Sequence, residues 1–132
     1  MRGASAVQEP LEKIPDSRLR VLVVWEPILW TDLKKPSGSI LARLSDLRVV
    51  QFWDHDHLVA QTLRESLPKE KGTGINPDPL SDPILWDVVG IYPPGKSWTD
   101  KLPTPSFFDG PVNDVVTRMK EMLEQPVMNE PL

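Results

Sequence analysis

The chain has 132 residues, with 15 basic and 19 acidic side chains, a formal charge of −4 and a pI near 5.1. That balance argues against a phosphate-tracking nucleic-acid surface and against an anionic-membrane binder, and no run reaches the roughly 18 apolar residues of a membrane span. Cysteine is absent, which excludes a disulfide, a thiolate nucleophile and a cysteine-ligated metal.

At 39% apolar residues, residues 1–132 are expected to form a single domain with a modest core. The N-terminus lacks the basic, apolar and small-residue blocks of a signal peptide, so a cytoplasmic protein is expected. Fifteen prolines punctuate the chain. Residues 2–14 place Ala4, Val7, Leu11 and Ile14 at helical spacing, which predicts a first helix. Pro15-Asp16-Ser17 stops it. Val21-Leu22-Val23-Val24-Trp25 is short, β-branched and apolar throughout, the pattern of a strand covered on both faces. Pro27 ends that strand. Ile40, Leu41, Leu44 and Leu47 follow Pro36-Ser37-Gly38 and predict a short helix capped by Ser37 or Ser39.

Val49-Val50-Gln51-Phe52-Trp53 reads as a second buried strand. It runs through Asp54-His55-Asp56-His57 into a helix carrying Leu58, Val59, Thr62, Leu63 and Leu67, whose positive first turn suits the aspartates. Residues 68–83 hold four prolines and two glycines and read as a loop. Ile84 to Tyr92 predicts a third strand, closed by Pro93-Pro94-Gly95. After a second loop, Pro105-Ser106-Phe107-Phe108-Asp109 predicts a short strand paired back on the third. Pro111 suits the start of a last helix, whose Val112, Val115, Val116, Met119, Met122 and Leu123 share one face. Residues 126–132 are expected to fray. The resulting order, α-β-α-β-α-β-β-α, predicts an α/β fold with a mixed, mostly parallel sheet of about four strands and helices on both faces.

This order, ending in ββα, resembles the C-terminal two-thirds of a thioredoxin-like domain, and more closely the TlpA-type bacterial branch and its relatives. Arg2–Ile14 looks like the tail of the family's active-site helix, and Val21–Trp25 like the strand after it. Phe52-Trp53-Asp54 followed by Leu58-Val59 resembles the stretch in which a family strand ends in Asp and leads into a helix. Pro83 lies where the family often has a cis-proline. The family's first strand and Cys-x-x-Cys turn have no counterpart here, and they would lie upstream of Met1. Its redox activity therefore carries over to no residue of this chain.

The only histidines are His55 and His57, flanked by Asp54 and Asp56. Such a set suits Zn²⁺ or Mn²⁺ if the histidines share a strand face. At a helix N-terminus, residues i and i+2 diverge by about 200°, and Asp54 or Asp56 then serves as a cap. Glu26, Asp54 and Asp87 are a further candidate set, because open α/β sheets bind ligands where their parallel strands end. Otherwise they act as caps or as partners of Arg20 or Arg48. Trp25, Trp53 and Trp86 are expected to pack in the core, whereas Trp30 and Trp98 fall in loops beside prolines and are candidate anchors for a protein partner. Lys71-Gly72-Thr73-Gly74 lacks the spacing of a phosphate loop.

With no catalytic motif of a known kind and no implied cofactor, the expectation is a redox-inactive, thioredoxin-like binding module. A small metal- or carboxylate-dependent enzyme at Asp54–His57 is one alternative. A fragment of a Cys-x-x-Cys oxidoreductase starting upstream of Met1 is another. The absent strand would leave sheet edges open to pairing, so a homodimer or an unknown protein partner is expected.

Overall fold

In the computed structural model, residues 2–28, 34–69, 74–81 and 85–125 are described. Helix α1 spans Arg2–Lys13 and carries Pro10 within it. Strand β1, Val21–Trp25, pairs in parallel with β2, Val49–Trp53, in register from Val21↔Val49 to Trp25↔Trp53. Helix α2, Gly38–Leu41, lies in the crossover between them, and α3, Leu58–Ser66, follows β2. A short α4, Asp78–Ser81, precedes the antiparallel pair of β3, Val89–Ile91, and β4, Phe107–Asp109. Helix α5, Val112–Glu124, closes the described chain.

The chain is thus mixed α/β, but the four-stranded sheet expected from the sequence is not formed among the described residues. There are two separate sheets of two strands each. One cause lies in the third strand. Asp87 adopts φ 56, a left-handed conformation that breaks the extended run, and only Val89–Ile91 remains as strand. Trp86, expected in the core, is 60% exposed beside this break. Within the predicted loop 68–83, α4 and an isolated parallel bridge from Ile75 to Phe108 bury Leu80 and Ile75. Gly74 permits the bridge: its φ is +79, and a Cβ there would sit 2.6 Å from the Ser106 carbonyl oxygen. Lys71–Thr73, Pro83 and Ile84 lie outside the described residues.

The main core gathers Ala60 and Leu67 from α3 and its exit, Ile75, Leu80, Leu85 and Phe108. Helix α1 packs against α5. Leu11 and Ile14 are buried at the end of the former, and Val112, Val115 and Met119 along the latter. Val116 and Leu123, placed on the same stripe by the sequence, are half-buried.

One side chain joins α1 to the parallel sheet. Arg48, just before β2, donates from Nη1 to the carbonyls of Ile14 (2.7 Å) and Asp16 (2.9 Å), and from Nη2 to that of Leu11 (2.6 Å). Its Nε and Nη2 also grip both carboxylate oxygens of Asp46, at 2.9 and 2.7 Å. The guanidinium thereby supplies charged donors to carbonyls at the α1 C-terminus and in the turn beyond it. In return it holds the Asp46 carboxyl at a pKa of about 2. A lysine can meet neither the fork nor the fan of carbonyls. Arg48→Lys is expected to lower the unfolding free energy by on the order of 2–4 kcal/mol. The exposed Arg43→Lys should change it by less than about 0.5 kcal/mol. Likewise Met119→Ala is expected to cost about 2–5 kcal/mol, and Thr117→Ala, on the exposed side of α5, little. Urea unfolding of the four variants checks both contrasts, and equal effects within either pair would show that the burial is misassigned.

Candidate functional site

The ends of β1 and β2 lie side by side, tied by the Asp54 N–H donating to the Trp25 carbonyl at 2.7 Å. Beyond them the chain turns into α3, and Asp54 shapes that turn. Its carboxylate accepts the N–H groups of Leu58 (3.0 Å) and Val59 (2.8 Å), filling two orphan donors at the helix start. His57 reaches the left-handed region, φ 58 and ψ 32, where histidine is several-fold enriched among the few non-glycine residues that enter it.

This conformation separates the two histidines. His57 Nδ1 lies 3.2 Å from Glu26 Oε2, and the Glu26 side chain is only 12% exposed. His55 Nδ1 instead lies 2.9 Å from Asp56 Oδ1 on the surface, with its ring edge-on to Trp53. The Asp54 carboxylate is committed to α3. Among the described residues, no group of three His, Asp or Glu side chains is placed to hold a metal ion. The Asp54, His55, Asp56 and His57 metal set therefore has no support in the geometry. Its capping alternative does, through Asp54.

Of the expected carboxylate trio, Glu26 and Asp54 come together and Asp87 does not. Burial pushes the Glu26 carboxyl above its usual range, with Asp54 adding to the rise and His57 and Arg64 opposing it. Asp87 instead backs onto the turn into α5, where a Cβ on Gly110 would collide with its carbonyl oxygen. Arg48, once a potential partner of these carboxylates, serves Asp46. Trp98 is about half exposed, as expected, and Trp30 lies outside the described residues.

A second feature runs opposite to the sequence expectation of strands buried on both faces. Val21, Val23, Trp25, Val49, Gln51 and Trp53 point to the half-buried side of the parallel pair. There Trp25 Nε1 donates to Gln51 Oε1 at 2.8 Å, and Gln51 Nε2 donates to the Leu41 carbonyl at 2.9 Å. The other face consists of Leu22, Val24, Val50 and Phe52, and it is exposed: 67% at Leu22 and 50% at Phe52. Among the described residues, the half-buried side is the one that holds the polar residue and meets α2. Alternation of apolar and polar positions would have assigned Gln51 to solvent, so no local pattern could reveal which face is open.

Comparison with protein-family models, with curated proteins and with solved structures yields no match. Among the described residues no helix is long and apolar enough to cross a membrane.

The raised Glu26 carboxyl has a definite pH consequence. The folded chain favours the neutral acid more than the unfolded chain does, so that stabilisation is complete at low pH and is lost as pH rises through the raised value. Glu26→Gln stays neutral throughout. It is expected to unfold at higher urea than the wild type at pH ~7 and at equal urea below pH ~4. A variant less stable at neutral pH would instead make the charged Glu26–His57 pair a net stabiliser.

Proposed function

We propose that this chain is a redox-inactive binding module, thioredoxin-like in its order of elements, that receives a protein partner on the open face of the β1–β2 sheet. What supports the thioredoxin-like reading is the parallel pair with a helical crossover, followed by an antiparallel pair and a closing helix. The absence of cysteine supports a role without thiol chemistry.

A single observation carries the binding role: the uncovered face is wholly apolar while the covered face holds Gln51. Parallel sheets occur almost only with both faces covered, and contiguous exposed apolar patches on soluble proteins mark interaction sites. An uncovered face that no partner ever meets would be expected to carry polar positions, and this one has none. A second reading, acid–base chemistry at the strand ends, is favoured only by the contact of His57 Nδ1 with the shielded Glu26.

The binding role is tested by placing a charge on the face. Leu22→Glu should cost less than about 1 kcal/mol in urea unfolding, because the site is solvated in the free chain. It should also abolish fluorescence enhancement of an apolar dye that the wild type supports. A loss of about 3 kcal/mol or more would make the face part of the core and end the proposal.

A further inference from the structure

We infer that the occupant of the open face is a second copy of this chain, related by a two-fold axis that lies in the interface and runs across the strands. The inference rests on the open face being a docking surface and names its partner. Two observations select a second copy. Leu22, Val24, Val50 and Phe52 carry no charge, so two such faces meet without burying an unpaired ion. Each also offers the other an apolar surface of its own kind, as an isologous contact requires.

The second observation is that the sheet is electrically polar along its strands. Where β1 and β2 begin stand Arg18, Arg20 and Arg48, against Asp16 and Asp46. Arg18 and Arg48 are paired to those aspartates, whereas Arg20 is exposed and donates only to the carbonyls of Ser17 and Leu19. Where the strands end stand Glu26, Asp54 and Asp56, with His55, His57 and the nearby Arg64. One end is therefore net basic and the other net acidic. An axis along the strands would stack like ends. An axis across them makes the strands antiparallel between copies and sets each basic end over the partner's acidic end. The two sheets would then pack about 10 Å apart with their strands aligned to within about 30°.

The face is modest. Exposed patches of this sort amount to about 300–600 Å², below the roughly 800 Å² per partner of a standard stable interface. The association is accordingly weak and reversible.

Sedimentation equilibrium of the whole chain from about 10 µM to about 1 mM at low salt tests this. The wild-type mass should climb from 14.9 kDa towards twice that value. Leu22→Glu should hold it at the monomer mass throughout. Arg20→Glu alone and Asp56→Lys alone should each weaken the dimer about threefold, and combining them should restore it. A wild type that stays monomeric at the highest concentration overturns the second copy. If Leu22→Glu is then still as stable as the wild type, the face remains a docking surface for another protein. If Leu22→Glu unfolds readily, the docking surface itself is wrong. Dimerisation without restoration in the double reversal would overturn the crossed axis.

Discussion

The guanidinium of Arg48 is the constraint on which the parallel half of the molecule depends. It sits where three segments meet: the end of α1, the turn that carries Asp46 and the first residue of β2. Helix α1 ends without a glycine and runs into Pro15, so no glycine cap closes it, and the Ile14 N–H on the Leu11 carbonyl is its last backbone bond. Arg48 supplies further donors. In doing so it ties the end of α1 to the residue that leads into β2, where Val49 lies opposite Val21. Gln51 repeats the device one turn of pleat further on, binding Trp25 across the strands and the α2 carbonyl beneath. Two polar side chains on the covered side thus do the orienting that sheet-wide apolar packing does in a larger domain.

The same division sets the two sides of the sheet apart. Arg48 ties the end of α1 and Gln51 ties α2 to the half-buried side, while Leu22, Val24, Val50 and Phe52 stay exposed on the other. The turn beyond the strands is ordered by Asp54 on the first N–H groups of α3 and, from across the sheet, by Glu26 against His57. The second half has its own means of support. The bridge from Ile75 to Phe108 and the Asn76 amide on the Asp109 carboxylate fasten the segment before α4 to the β3–β4 pair. Arg118 from α5 also pairs with Asp109 and lies over the Phe107 ring.

How much of this was legible in the sequence follows from the range of each interaction. Helix α5 was visible because its burial repeats at 3.6 residues within a single element. The strands β1 and β2 were visible as β-branched runs, and Asp54 as a cap because capping acts over four or five residues. What was not visible depends on distant partners. The run Val21–Trp25 looks the same whether one face is covered or two. The break at Asp87 is a backbone conformation that its residue type permits without announcing. Glu26 and His57 are 31 positions apart, and only the parallel pairing of the strands before them brings them together. Helix α4 lies in a proline-rich stretch where period carries no signal, and Leu80 is buried through contacts made elsewhere.

The packing of α1 on α5 has a consequence for how the molecule comes apart. These helices stand at opposite ends of the described chain, so their contact closes a loop that contains every other element. The entropy of that closure grows only slowly with length, but it must be met before the contact yields anything. A state in which one helix has docked without the other leaves Leu11 and Ile14, or Val115 and Met119, in water. Half-folded forms are therefore poor in energy, and each of the two small sheets, marginal by itself, depends on the packing around it. The contact between α1 and α5 is among the most distant in sequence that the fold makes, and contacts of that kind slow the folding of a chain.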